Sequence, residues 1–91
     1  MRELEQCRKE IDDIDRKMVK LFCQRMELAR EIALIKKSQG VPIFDSAREA
    51  TILADCLSLL PDERFSESLV KFLQYVMDLS KQEQRKLLNK K

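Results

Sequence analysis

The sequence predicts an all-α fold with three helices per chain, assembled as an intertwined homodimer. The first helix is long, the second short and the third of medium length. Three observations predict this fold. Apolar residues recur at helical spacing, the single Gly and both Pro fall in two short connections, and the first helix is too long for a 91-residue chain to cover by itself. We therefore expect a single domain over residues 1–91.

The first helix is predicted over about residues 3–38. Nine of the ten positions of a heptad seam are apolar, and no Gly or Pro interrupts the first 39 residues. Gly40, followed two residues later by Pro42, is a helix-stop signal. The seam positions are Leu4, Cys7, Ile11, Ile14, Met18, Leu21, Arg25, Leu28, Ile32 and Ile35.

The second and third helices follow short connections. Asp45 or Ser46 is expected to cap the second helix, and Ser46 and Glu49 have the spacing of a capping box. Pro61 ends this helix or begins the next turn. The third helix is predicted over about residues 66–88. The side chains expected in the core include Met18, Phe22, Met26, Phe72 and Met77.

The length of the first helix predicts the dimer. At ~1.5 Å per residue this helix is about 54 Å long, whereas a compact chain of this size is only about 30 Å across. Its seam stays apolar along the excess length, and an apolar surface of that extent needs a cover. We expect a second copy of the chain to cover it.

Composition excludes several kinds of catalysis. The chain has no His, which excludes His-based acid–base catalysis, Ser–His triads and His-bound metals. A single Gly excludes Gly-rich phosphate loops. Cys7, Cys23 and Cys56 form no C-x-x-C pair, so neither a zinc site nor a disulfide framework is expected. We expect no metal and no cofactor.

Composition also bears on partners and location. The formal net charge is +2 with the signs interspersed, and aromatic residues are few, so nucleic acid is not an expected partner. No apolar run approaches the ~20 residues of a membrane span, and the first ten residues are too charged for a secretory signal. The odd number of Cys favours reduced thiols and a cytoplasmic location.

Polar residues on the predicted apolar faces indicate where the function lies. Arg25 occupies a seam position, where a buried guanidinium needs an anionic partner. Lys36 lies about 20° from Arg25 around the helix and ~16 Å further along it. Ser80 and Gln84 lie one turn apart on the apolar stripe of the third helix, and Glu49 lies on that of the second. Together these side chains predict a pocket for a small dianion.

Arg8 lies apart from this set. It is about 25 Å along the first helix from Arg25 and roughly 100° around it. Arg8 therefore cannot share the pocket of Arg25 within one chain, but in an antiparallel dimer it reaches the pocket of the partner subunit.

Each of these residues also has a simpler interpretation when taken alone. Arg25 could form an interhelical salt bridge or extend its charge to solvent, and Lys36 could be solvated near the helix end. Ser80 and Gln84 could be a polar pair that sets the register of a helix bundle. Glu49 could merely complete a capping box. Only the joint occurrence of all of them favours a ligand pocket.

Five segments carry a further pattern. They are C-R-K-E-I-D-D-I-D at 7–15, Q-R-M-E-L-A-R-E-I-A at 24–33, I-K-K at 35–37, P-I-F-D-S-A-R-E at 42–49 and M-D-L-S-K-Q-E-Q at 77–84. In these segments the chain resembles the all-helical, intertwined-dimer class of chorismate mutase, over nearly its whole length. The positions that carry the resemblance are Arg8, Arg25, Lys36, Asp45, Glu49, Ser80 and Gln84.

The resemblance implies an isomerase of aromatic amino acid biosynthesis, on the shikimate pathway. Such an enzyme rearranges chorismate to prephenate by a Claisen shift without a cofactor. The protein holds the dianion in its compact diaxial shape and stabilises charge on the breaking ether oxygen. By this resemblance Lys36 and Gln84 hydrogen-bond the ether oxygen, Arg25 completes the catalytic residues, and Arg48 supports the site.

The resemblance also implies which residues bind the rest of the substrate. Arg25 and Arg8 of the partner subunit grip the carboxylates, and Ser80 assists one of them. Glu49 and the backbone N–H of Asp45 position the ring hydroxyl.

Other functions remain open from the sequence. Isochorismate pyruvate lyase looks similar and uses comparable cations. A non-catalytic helical dimer is the rival from another class, although it has no reason to place Arg25, Ser80 and Gln84 on apolar stripes together. The chain could also be one domain of a larger enzyme, and we expect no effector site within it.

Overall fold

The computed structural model describes residues 2–89 and confirms the all-α fold. Helix α1 spans Leu4–Gln39, α2 spans Ser46–Ser58, and α3 spans Ser66–Leu88. A short 3₁₀ turn at Glu63–Phe65 leads into α3, and residues 2–89 contain no strand. The predicted ends of the first and third helices agree with these bounds to within one residue. Met1, Lys90 and Lys91 lie outside the described residues.

Gly40 ends α1. Its φ of 68° lies in the left-handed region, which a residue without a Cβ adopts at little cost. The Gly40 N–H donates to the Lys37 carbonyl at 3.2 Å, and the Val41 N–H donates to the Lys36 carbonyl at 2.9 Å. These two bonds satisfy carbonyls that the helix leaves without partners, and the chain then continues into the connection to α2.

The beginning of α2 corrects one prediction. Asp45 is the capping residue, and its carboxylate accepts a hydrogen bond from the Arg48 N–H at 3.0 Å. The capping box predicted between Ser46 and Glu49 is wrong, because Glu49 directs its carboxylate to α3 instead. Asp45 suffices to cap the helix, so Glu49 is available for a tertiary contact.

The buried core lies where α1 packs along α3. It consists of Met26, Ala29 and Ala33 of α1 with Met77 of α3. The small Ala side chains let the two helix backbones approach closely, and α2 also packs against α3. The polar residues Ser80 and Gln84 are buried in the same layer.

Only two of the five side chains predicted for the core are buried within one chain. Met18, Phe22 and Phe72 are 45%, 44% and 54% exposed, respectively, while Met26 and Met77 are buried as predicted. The reason is that α1 extends beyond the part of α3 that it contacts, and every residue from 8 to 24 is exposed. The apolar surface of this extension therefore has no cover within one chain.

The dimensions of the chain reflect this extension. Its radius of gyration is 16.5 Å, against about 12 Å for a compact chain of the same length. The longest principal extent is 56 Å, which matches the length of α1. Within residues 2–89 no helix combines the length and the apolar character needed to cross a membrane.

Candidate active site

A cavity of about 370 Å³ lies between the second half of α1, the start of α2 and the second half of α3. Its volume is within the ~300–1,000 Å³ that is typical of small-molecule sites. The apolar side chains of its wall include Leu28, Ile32, Ile52 and Met77. The polar side chains of the wall are those of Arg25, Lys36, Asp45, Arg48, Glu49, Ser80, Lys81 and Gln84.

The cavity brings together all but one of the residues predicted to bind substrate. The exception is Arg8, which is exposed on α1 and does not line the cavity of its own chain. This placement is the one expected from helix geometry, since the two arginines are separated by 17 residues of one straight helix.

Lys36 is anchored at one end of the cavity. It is half-buried in the last turn of α1, and its Nζ donates to the Ile43 carbonyl at 2.7 Å. The bond ties the connection after Gly40 to α1. Because the carbonyl is uncharged, the ammonium keeps its full positive charge for a ligand.

Arg25 lies at a boundary between two surfaces. It lines the cavity and also the edge of a second, apolar groove formed by α1 and α3. The side chain is half-buried, and none of the described residues forms an ion pair with it. A partly desolvated guanidinium of this kind favours an anionic ligand.

Ser80 and Gln84 form the buried polar wall. They are 8% and 6% exposed, and the Gln84 Nε2 donates to the Ser80 Oγ at 3.4 Å. The Gln84 Oε1 has no partner among the described residues. A buried amide with one long bond and one unpaired oxygen is poorly satisfied by the protein alone, so a ligand with donor and acceptor groups gains by binding it.

Glu49 contacts α3 through both carboxylate oxygens. Its Oε2 lies 2.8 Å from the Lys81 Nζ, and its Oε1 accepts a hydrogen bond from the Gln74 Nε2 at 3.2 Å. This hydrogen bond from Lys81 to Glu49 raises the pKa of the Lys81 ammonium above its ordinary 10.5, an effect that burial partly opposes. Lys81 is therefore a cation at any neutral pH.

Lys81 and Gln74 are the site residues that sequence reasoning missed. Lys81 lies within a segment that carried the family resemblance, but no role was attached to it. The available signal was a row of polar residues at Gln74, Asp78 and Lys81, spaced by four and three on one face of α3. That row borders the stripe of Ser80 and Gln84.

The charge of the cavity is positive. Four cationic side chains and two carboxylates line it, which leaves an excess of two positive charges. One carboxylate caps α2 and the other contacts Lys81, so neither neutralises Arg25 or Lys36. The arrangement can hold a small dianion and supply hydrogen-bond donors to it.

Comparison with known proteins shows the family. The family model described as chorismate mutase type II matches residues 7–85, which is most of the chain and includes every residue that lines the cavity. The chain belongs to the chorismate mutase type II family. The resemblance noted from the sequence is thereby confirmed.

Individual relatives agree with the family model. A chorismate mutase of Methanocaldococcus jannaschii is 34% identical over 87 residues, which are 94% of this chain and 88% of that protein. A bifunctional chorismate mutase/prephenate dehydratase of Aquifex aeolicus is 41% identical over 65% of this chain, and a T-protein of Haemophilus influenzae is 38% identical over 58%. These matches span only 16% and 14% of those two longer proteins. No solved structure matches the chain at a significant level.

Proposed function

We propose that the chain is a chorismate mutase, which rearranges chorismate to prephenate in aromatic amino acid biosynthesis. The observation that carries the proposal is the cavity itself. Six of the seven residues predicted from the sequence to bind substrate line it, and its whole lining carries an excess of two positive charges. The family membership and the Methanocaldococcus jannaschii relative of similar length support the same conclusion.

The reaction requires no proton transfer from the protein. In the Claisen rearrangement one carbon–oxygen bond breaks while a carbon–carbon bond forms within the same molecule, and no proton is transferred. The enzyme therefore needs to hold the substrate in its compact diaxial conformer, in which the reacting carbons meet. It also needs to stabilise the negative charge that develops on the ether oxygen.

Each part of the cavity has a role in this proposal. Lys36, at the end of α1, and Gln84, on α3, donate hydrogen bonds to the ether oxygen. Arg25 binds one carboxylate of the substrate with help from Ser80. Glu49 accepts a hydrogen bond from the ring hydroxyl, which the Asp45 backbone N–H also contacts. Arg48 lines the cavity near the start of α2 and adds positive charge.

The second carboxylate is assigned to Arg8 of the partner subunit. Support for a homodimer comes from an apolar groove of about 530 Å³ along α1 and α3, which begins beside Arg25. Its other walls are formed by the side chains of Met18, Val19, Leu21, Phe22, Phe72, Leu73, Tyr75, Val76 and Leu79. A second copy of α1 seated there covers the exposed extension and brings a new segment next to the cavity.

The cytoplasm is the proposed location. The three cysteines are free, as expected in a reducing compartment, and the substrate is a small metabolite.

The direct test is turnover. Purified protein is incubated with chorismate and, separately, with isochorismate, and the products are identified by chromatography. Formation of prephenate supports the proposal. Formation of salicylate and pyruvate from isochorismate, without turnover of chorismate, assigns the lyase reaction instead.

A binding measurement separates an enzyme from a scaffold. A dianionic bicyclic analogue of the transition state should raise the melting temperature of the protein, because it binds only the folded state. A non-catalytic helical dimer shows no such rise.

A further inference from the structure

Lys81 is a largely buried cation that the proposed mechanism does not use. Its side chain is 15% exposed, and that of its partner Glu49 is 16% exposed. The same ammonium lies 3.3 Å from the Asp78 carboxylate and 4.7 Å from the centre of the Phe44 ring. Few lysine side chains are covered to this extent without a role in packing or in a site.

The donors of Lys81 are already engaged. An ammonium has three N–H donors, and this one already has three partners, namely Glu49, Asp78 and the face of the Phe44 ring. A ligand in the cavity would have to displace one of these partners to reach Lys81. Direct binding of substrate is therefore a poor assignment for this residue.

Glu49 is instead held from two sides. Lys81 contacts Oε2, and Gln74 donates to Oε1. Gln74 also donates to Asp78 at 3.1 Å, so the four side chains form a closed ring. Gln74 and Lys81 are seven residues apart on α3, which places them two turns apart on one face and makes their spacing rigid.

The ring leaves Glu49 able to accept from a ligand. Each carboxylate oxygen has two acceptor sites, and Lys81 and Gln74 occupy one on each. Asp45 is the other carboxylate of the cavity wall, and it is engaged as the cap of α2. Glu49 is thus the carboxylate that is both fixed in direction and still open to a hydroxyl group.

We propose that Lys81 is a positioning residue, which acts through Glu49 to fix the hydroxyl of the substrate in the cavity. This inference rests on the proposed function, because it takes the ring hydroxyl of chorismate as the group that Glu49 binds. Lys81 does not touch the substrate. Its loss frees the carboxylate to adopt other conformations and removes the adjacent positive charge.

The test is a double-mutant cycle. Lys81→Met keeps an unbranched side chain of similar length and removes the charge. We expect the KM for chorismate to rise about tenfold, the typical effect of losing one hydrogen bond to a charged group. The kcat should change less than about twofold, because the hydroxyl is bound in both the ground state and the transition state. Lys81→Arg, which keeps the charge, should recover most of the affinity.

The Glu49→Gln background decides whether Lys81 acts through Glu49. In this background the added Lys81→Met change should raise the KM less than about twofold, since the carboxylate that Lys81 positions is already absent. Losses that multiply in the double variant would overturn the proposal, as would an unchanged KM in Lys81→Met. Lys71→Met is the matched control, because Lys71 pairs with Glu67 on the exposed side of α3.

A second readout does not depend on turnover. Crystal structures of wild type and of Lys81→Met should differ in the Glu49 side chain, with one conformer in the first and several in the second. A Glu49 carboxylate that keeps its place in the variant would overturn the positioning role even if the wild type turns over no chorismate, in which case the proposed function fails separately. If Lys81→Met folds poorly, Gln74→Met takes its place in the test. It removes the other side chain that holds the Glu49 carboxylate, and it should likewise raise the KM and free the carboxylate to adopt several conformers.

Discussion

In the proposed mechanism two side chains of the cavity donate hydrogen bonds to the ether oxygen, and these two donors differ in charge. Lys36 brings a full charge from the end of α1, and Gln84 brings a neutral amide from within α3. A charged donor in a site that excludes water stabilises developing negative charge strongly, and a neutral donor does so at every pH. The two residues therefore give separate predictions.

Replacing Lys36 should abolish most of the activity. One preorganised donor to developing negative charge lowers the activation barrier by ~3–4 kcal/mol, which raises the rate by about 10²–10³. We expect Lys36→Ala to lose at least that factor in kcat/KM while the circular dichroism and the mass of the protein stay unchanged. Lys37→Ala is the matched control, since Lys37 is the exposed neighbour in the same helical turn. Near wild-type turnover by Lys36→Ala would refute the assignment.

The pH dependence of the wild type should be nearly flat between about pH 5.5 and 8.5. Carboxyl groups ordinarily titrate below this window, and lysine and arginine side chains titrate above it. The raised pKa of Lys81 moves that group further from neutrality. A bell-shaped profile of kcat/KM centred near pH 7 would reveal a general acid or base and exclude a purely electrostatic mechanism.

Gln84→Glu should make that profile depend on pH. The new carboxyl group donates to the ether oxygen only while it is protonated, and it loses its proton as the pH rises. We therefore expect kcat/KM of the variant to fall with increasing pH. Gln82→Glu is a suitable control because Gln82 is exposed and does not line the cavity.

At the scale of the elements, the end of α1 decides how the cavity closes. The left-handed turn at Gly40 brings the following connection back over the helix, where the Ile43 carbonyl meets Lys36. The cap at Asp45 then starts α2 in the direction that carries Glu49 to α3. Local backbone geometry thus sets the position of two site residues.

Gly40→Ala should destabilise the protein by about 1 kcal/mol, the typical cost of a left-handed conformation for a residue with a Cβ. The cost is conformational, since no atom beyond the adjacent backbone lies within 4 Å of the position that a Cβ would occupy. Gly40→Asn should cost less, because Asn tolerates this region better. Urea denaturation at matched protein concentration measures both changes, and equal stability of Gly40→Ala and wild type would contradict the prediction.

At the scale of the whole molecule, the uncovered half of α1 is the dominant feature. A chain with a radius of gyration of 16.5 Å leaves much of its apolar surface to solvent. Burial of such surface drives association of subunits, at roughly 25 cal/mol per Å². The groove beside Arg25 is the place where a second α1 gains most, since its wall is almost wholly apolar.

Complementation between two inactive variants tests whether the partner contributes Arg8. In a mixed dimer of Arg8→Ala and Arg25→Ala chains, one site has both arginines intact and the other has neither. Mixed refolding should restore about a quarter of the wild-type activity, because half of randomly paired dimers are mixed and each has one intact site.

The control for this experiment pairs Arg25→Ala with Lys36→Ala. Both residues belong to the same chain's cavity, so each site of that mixed dimer keeps one defect and no activity returns. A first pair that also stays inactive, or a monomeric mass by light scattering at micromolar concentration, would contradict the shared site.

Much of this molecule follows from local patterns. Apolar spacing and the positions of Gly40 and Pro42 predict the helices and their ends, since helix formation depends on neighbours three and four residues away. The family pattern and the polar residues on apolar stripes predict most of the cavity wall for the same reason. Arg25 and Gln84 are polar residues on apolar helical stripes, and this can be seen in the sequence before the packing of their helices is known.

The tertiary structure alone decides which face of α1 packs on α3 and which residues of different helices meet, because both depend on how one helix is rotated against another. Met26, Ala29 and Ala33 each follow a seam position by one residue, which is about 100° around the helix. Within one chain this face of α1 packs on α3, while most of the predicted seam stays exposed. The pairing of Glu49 with Lys81 likewise joins residues 32 positions apart, and only the packing of α2 on α3 brings them together.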